Sequence, residues 1–332
     1  FRRHFWTFVG IAAVIQVFVL IFQIVASAMS FSFLGAPITS LQGDPQAGEQ
    51  VLEAISDNPA GLTLFIVAII FLGLALSVAQ VLSSGAMARA VGNSYMGEPL
   101  SVAEAYSRIL PNWRQLVLFM LLNVLFLFLL FIWTIIPCVG WLTGPGMLFY
   151  YSGVIVSMGV AILILESKNP YDAIVRAWKL SRDRFWWIVG FMILLSLISS
   201  VLITGPAAIV QLGFSYLLLG SISATPDFLV QTINQVVTTL LNTLFIPFQI
   251  IAIVLVYFDL RIRSEGFDIA YNANKQAIPA AELIGQAPET TSGDLFRGAD
   301  LGNFLGLTIA YIAFAAVVAG IFAGIGFLIV GV

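Results

Sequence analysis

All fourteen Lys and Arg residues of this chain fall in alternate gaps between long apolar stretches, and the intervening gaps carry none. They are Arg2, Arg3, Arg89, Arg108, Arg114, Lys168, Arg176, Lys179, Arg182, Arg184, Arg261, Arg263, Lys275 and Arg297. Basic side chains in short loops stay on the cytoplasmic side during insertion, so the pattern predicts both a membrane and an orientation. A helix crossing about 30 Å of hydrocarbon needs about 20 apolar residues. The stretches 6–29, 62–83, 115–136, 146–165, 185–204, 229–258 and 303–331 meet that length, so seven spans are expected. The N-terminus then lies in the cytoplasm and the C-terminus outside. The apolar stretch 206–220, which follows Gly205-Pro206, is too short to cross and is expected at, or dipping into, the outer interface.

Composition agrees with this map. Sixty per cent of residues are apolar and 9% are charged, against roughly 25% charged in a soluble domain, which needs a solvated surface. The predicted fold class is therefore all-α, a polytopic transmembrane helix bundle with little mass outside the bilayer. Asp44, Glu49, Glu53, Asp57 and Asp227 are the only carboxylates expected outside; the other twelve share the inner side with the fourteen bases. That inner face weakly suits anionic lipid headgroups. Trp6, Trp113, Trp178, Trp186 and Trp187 mark the inner boundary, and Trp133 and Trp141 the outer one, as expected of an aromatic belt. The chain opens at Phe1 without Met. It is expected to start at an internal point and not with a signal peptide, whose apolar run is shorter.

Internal similarity organises the first six spans. Residues 1–10, Phe-Arg-Arg-His-Phe-Trp-Thr-Phe-Val-Gly, align with 181–190, Ser-Arg-Asp-Arg-Phe-Trp-Trp-Ile-Val-Gly. More weakly, Pro99, Ala105, Tyr106 and Trp113 fall opposite Pro170, Ala177, Trp178 and Phe185. Three parallel repeats, each an interfacial helix plus a helical hairpin, are expected over about 1–83, 99–165 and 170–258, within a six-span membrane domain at 1–263. In 170–183, Tyr171, Ile174, Val175 and Trp178 share one helical face, and Asp172, Arg176, Lys179 and Asp183 share another. Such a helix rests in the headgroup plane; packing on a soluble domain is the competing reading. Residues 264–302 read as a polar cytoplasmic linker, irregular unless it lies on a partner. A seventh transmembrane helix at 303–332 closes the chain.

Two segments resemble a known family: Ala173-Ile174-Val175-Arg176-Ala177-Trp178-Lys179-Leu180-Ser181 running into Phe185-Trp186, and Tyr257-Phe258-Asp259-Leu260-Arg261-Ile262-Arg263-Ser264-Glu265-Gly266-Phe267-Asp268. They are similar to bacterial integral membrane proteins of the glycerophosphoryl diester phosphodiesterase membrane-domain type. The resemblance covers about 1–268 and implies a bacterial inner membrane. In that family the membrane region can accompany a separate phosphodiesterase domain. None is present in this sequence, so that chemistry is not carried over.

Candidate sites are few. Gln235, Asn242 and Gln249 recur every seven residues along span six and share one face. They line a polar path for a neutral substrate or act as interhelical glue, the reading we favour, since an amide in hydrocarbon needs a hydrogen-bond partner. Gln80, Asn123, Gln16 and Gln23 are the natural partners. In the last span Ala316, Gly320 and Gly324 step by four, a small-residue ridge suited to close helix packing. Docking on the chain's own body and binding a second subunit or copy remain equal alternatives. The stretch Pro137–Gly146 reads as a tight outer loop, with Cys138 a structural residue lacking a basic neighbour to activate it.

No cofactor is implied, and enzyme chemistry is not expected. His4 is the one histidine and Cys138 the one cysteine, so histidine metal sites, disulfides and Ser-His-Asp relays lack parts. Glu166, Asp172 and Asp183 lie among bases and read as solvated helix pairs. The expected function is a non-catalytic accessory or scaffold subunit packing against membrane partners or lipids. The alternative is a permease or lipid-handling protein for a neutral or amphipathic substrate. Membrane lipids and a partner at the C-terminal helix are the expected contacts, and nucleic acid is not. With Cys138 first replaced by Ala, Gln46→Cys should react with an impermeant thiol reagent in intact cells. Asn274→Cys should react only after the membrane is opened; the reverse order overturns the topology.

Overall fold

A computed structural model describes residues 4–34, 59–166, 168–210, 213, 227–274, 280–285, 294 and 296–330. Among these residues the protein is all-helical. Seven helices are long and apolar enough to cross a membrane. The loop carrying Asp44, Glu49, Glu53 and Asp57, and residues 214–220 of the apolar stretch after Pro206, lie outside the described residues.

The helices in chain order are α1 (Phe5–Leu34), α2 (Pro59–Tyr95), α3 (Val102–Ile109), α4 (Trp113–Ile135), α5 (Val139–Tyr150), α6 (Val156–Leu165), α7 (Pro170–Arg182), α8 (Phe185–Ser199), α9 (Asp227–Glu265), α10 (Phe267–Asn274), α11 (Ala280–Gly285) and α12 (Gly298–Val330). Two compact units divide them: residues 1–113 with 194–254, and residues 114–193 with 255–332.

In the first unit α1 packs along α2, and the short α3 lies against both. Ser101 starts α3 with a capping box. Its hydroxyl accepts from the Glu104 N–H, and the Glu104 carboxylate accepts from the Ser101 N–H. The pair satisfies two helix-end donors reciprocally. Ala105 and Ile109 form the buried face of α3, and the Tyr106 hydroxyl donates to the Ile11 carbonyl at 2.8 Å. That bond pins α3 near the N-terminal end of α1.

The second unit is built around α6, whose residues from Met158 to Leu165 are all buried. α7 packs against α6 and against the π turn (Tyr151–Ile155) that joins it to α5. α12 packs along α5. There the Gly146 N–H donates to the Thr308 hydroxyl at 2.9 Å, and a Cβ on Gly146 would collide with the Phe304 carbonyl. The last helix therefore docks on its own unit over its first turns.

Three local expectations are corrected. The expected loop through Gly146 is already helical from Val139, with Pro145 inside the helix. α8 does not stop at residue 204 but widens into a π turn at Ser200–Thr204 and runs on to Val210. The wide turn precedes Pro206, whose ring would otherwise strike the carbonyl one turn back. In the linker expected to be irregular after residue 264, described residues fold α10 and α11, with Phe267, Leu283 and Ile284 buried. Apolar residues spaced through a polar segment suffice here because a ready-made surface, α6, receives α11.

The turn between α4 and α5 is unusually tight. Cys138 has φ 64° and ψ −72°, and the Val139 N–H donates to the Pro137 carbonyl at 2.8 Å. That is a γ-turn of the strained hand. A non-glycine residue held in such a sparsely populated conformation costs about 1–3 kcal/mol. Cys138→Gly should therefore raise the thermal unfolding midpoint in detergent, by about 1 kcal/mol equivalent after the loss of chain entropy is counted, whereas Cys138→Val should lower it.

Candidate functional site: a buried ion cluster beside an apolar pocket

Four charged side chains and a tyrosine converge in the second unit. Glu166 caps the C-terminal end of α6, where its N–H donates to the Ile162 carbonyl. A carboxylate at that end meets the negative pole of the helix dipole and needs positive charge close by. Arg176, from α7, supplies it through an ion pair between its Nε and Glu166 Oε2. Arg176 Nη2 also donates to both oxygens of Glu265, at 2.9 and 3.1 Å. Glu265 ends α9 and is in turn paired with Arg261 at 3.1 Å, one turn earlier. Tyr257, one turn earlier again, donates its hydroxyl proton to Glu166 at 2.7 Å. The same hydroxyl oxygen accepts from Arg261 Nη1 at 3.0 Å.

The cluster is dry and neutral. The Glu166 and Arg261 side chains have 0% exposure, Glu265 1% and Arg176 8%. Burial works to lower the Arg176 pKa, but the Glu166 and Glu265 carboxylates overcome it and raise it, so the guanidinium stays charged. Two cations face two anions, which is the condition for keeping such groups out of water. Arg261 does more than balance charge. Its Nη1 also donates to the Ile284 carbonyl of α11 at 3.0 Å, and its guanidinium lies 4.3 Å from the centre of the Phe267 ring of α10. A cation over an aromatic face in a desolvated place is attracted by the ring quadrupole. One arginine thereby gathers α9, α10 and α11.

α7 separates this cluster from an apolar pocket. Arg176, Ala173, Ala177 and Leu180 form its buried face; Ile174, Val175 and Trp178 line a cavity of about 250 Å³ together with Phe126, Leu130 and Met147. Rings close its inner wall. Tyr150 stacks on Phe185 with centroids 4.4 Å apart, and Trp178 stacks on Phe304 at 5.7 Å. The Tyr151 hydroxyl, also on the wall, donates to Asn123 at 2.8 Å.

The expected sites map elsewhere. Gln235 donates to Ser27 of α1 at 3.0 Å, and the Thr239 hydroxyl one turn later donates to Gln23 at 3.4 Å. Asn242 is half-buried and Gln249 exposed. Asn123, an expected partner, instead serves Tyr151 and its own backbone. Ala316 is exposed, and the surroundings of Gly320 and Gly324 lie outside what is described. Glu166 and Arg176 are not a solvated pair: both are buried, which corrects the surface reading. Asp172 and Asp183 are exposed as expected. Among the described residues no group of three His, Cys, Asp or Glu side chains is placed to hold a metal ion.

Comparison of the chain with family models, with curated proteins and with solved structures finds no match in any of the three.

Removing one member of a buried, balanced cluster leaves an uncompensated charge and costs about 3–5 kcal/mol. Arg176→Met should lower detergent stability by that order. Adding Glu265→Gln restores neutrality, leaving Glu166 near Arg261, and should recover part of the loss. A thermal-unfolding double-mutant cycle measures the coupling, and simple additivity of the two losses would contradict the compensation argument.

Proposed function

We propose that the protein is a non-catalytic polytopic membrane protein, an accessory or scaffold subunit that packs against membrane partners or lipids. The reading takes the chain as a bacterial inner-membrane protein with a cytoplasmic N-terminus and its C-terminus outside, of the glycerophosphoryl diester phosphodiesterase membrane-domain type, with three parallel repeats and an extra last helix. One observation carries the functional part. The strongest cluster of charged groups among the described residues is consumed in joining helix ends to one another. Its groups are paired and dry, whereas a reacting acid or base must reach its substrate within hydrogen-bond distance. Charge spent in this way supports a rigid platform. The apolar pocket on the other side of α7 supports lipids as one class of contact.

The last helix is the expected partner surface, because its first turns are docked on α5 while Ala316, further along, is exposed. Small residues on such a face permit the close backbone approach on which helix association in lipid depends. Gly320→Leu should weaken co-purification of membrane partners, or of a second tagged copy, at equal expression, with the unfolding midpoint unchanged. Unchanged partners with a destabilised protein would mean that this ridge packs internally, and the scaffold reading would lose its interface.

A further inference from the structure

The pocket beside α7 has a mouth, walls and a lining that together select one kind of occupant. Its walls are Phe126 and Leu130 of α4, Met147 of α5, and Ile174, Val175 and Trp178 of α7. Among the described residues no charged side chain lines it; of its three tyrosines, Tyr151 donates its hydroxyl to Asn123 and Tyr150 is buried. A polar ligand would find little there to replace its water. The volume, about 250 Å³, exceeds the about 150 Å³ that admits a benzene ring into a protein interior, so a segment of hydrocarbon fits. Neighbouring outward residues of α4, namely Leu125, Phe128 and Leu129, are exposed apolar side chains on a helix of membrane-crossing length. Hydrocarbon is the solvent that such a surface tolerates, and Phe126 and Leu130 of the same helix line the cavity. Lys179 lies one helical turn beyond Val175, the spacing of neighbours on a helix surface, so a cation stands near the apolar slot.

We infer that this pocket binds one acyl chain of an anionic membrane phospholipid, with the headgroup toward Lys179. The inference rests on the membrane reading of the seven apolar helices and deepens the lipid-contact part of the proposed function. An acyl chain in the slot contacts Ile174 and Trp178 on one side and Phe126 and Met147 on the other, so its occupancy braces α7 against α4. The face of α7 opposite the slot carries Arg176 and the ion cluster, and the two sites share that one helix as a wall.

The test uses the full chain in nanodiscs containing a phosphatidylglycerol with a diazirine in the middle of one acyl chain. After irradiation, labelled peptides are mapped by mass spectrometry. Peptides containing Phe126–Leu130 and Met147–Tyr151 should label saturably with probe fraction and be displaced by unlabelled phosphatidylglycerol. Label on the outward face of α8, at Leu194 and Leu197, should rise linearly, as for bulk lipid. Filling the slot with Val175→Phe, or independently Met147→Phe, should cut pocket labelling about fivefold, roughly the loss of one to two buried methylenes, and leave the α8 label unchanged. Lys179→Gln should weaken displacement by phosphatidylglycerol but not by phosphatidylcholine. Linear, non-displaceable labelling of the pocket peptides, or labelling unaffected by both filled variants at unchanged stability, overturns the proposal. Saturable labelling displaced equally by both lipids and indifferent to Lys179→Gln overturns the headgroup assignment. Gly320→Leu tests the scaffold by a separate readout, the co-purification of partners, and does not bear on the lipid labelling.

Discussion

A charge cannot be left at the end of an apolar helix without an answering charge, and the second unit is arranged around that requirement. Glu166 and Glu265 both sit at helix C-termini, where the backbone already presents negative partial charge. Arg176 and Arg261 reach both carboxylates in a volume almost closed to solvent. The positions of α6, α7 and α9 near this point follow from one another, because each supplies a charge that the others need. A buried pair of this sort is weak evidence for net stability, since desolvation offsets much of the attraction. Its stronger effect is on uniqueness: sliding α6 by a turn would strip Glu166 of both arginines, and sliding α7 would strip Arg176 of both carboxylates.

The helix that carries Arg176 also shapes the pocket, so polar and apolar design meet on one element. Its buried face is mostly small, Ala173 and Ala177, which lets it come close to α6 while the long guanidinium passes to Glu166. The adjoining face holds Ile174, Val175 and Trp178 away from α4 and leaves space. α12 completes the arrangement through Phe304, which stacks on Trp178, and through Thr308, which accepts from Gly146.

The all-helical class and the seven apolar helices were legible in the sequence because a long run of uncharged residues has few other solutions in lipid or in a core. Boundaries set by Pro and Gly were less so. Pro145 lies inside α5 and Pro206 follows a π turn, whereas Pro and Gly in a sequence ordinarily signal a break. The ion cluster was missed for a specific reason. Arg176 alternates with apolar residues just as a solvated cation on an amphipathic helix does, and nothing in its own segment distinguishes the two. The usable signal lay in α9, where Tyr257, Arg261 and Glu265 are spaced by four and share a face at the end of an apolar run. The linker misled in the opposite sense, because average polarity hides the few apolar residues, Phe267, Leu283 and Ile284, that anchor it.

Arg261 grips α11 by a main-chain oxygen, that of Ile284, and not by a side chain. Such a grip reads geometry and is blind to residue identity. The clasp itself is consequently indifferent to which side chain sits at position 284, while an insertion or deletion of a single residue would swing the accepting carbonyl about 100° around the helix axis and release it. The selection this imposes acts on length before it acts on letters.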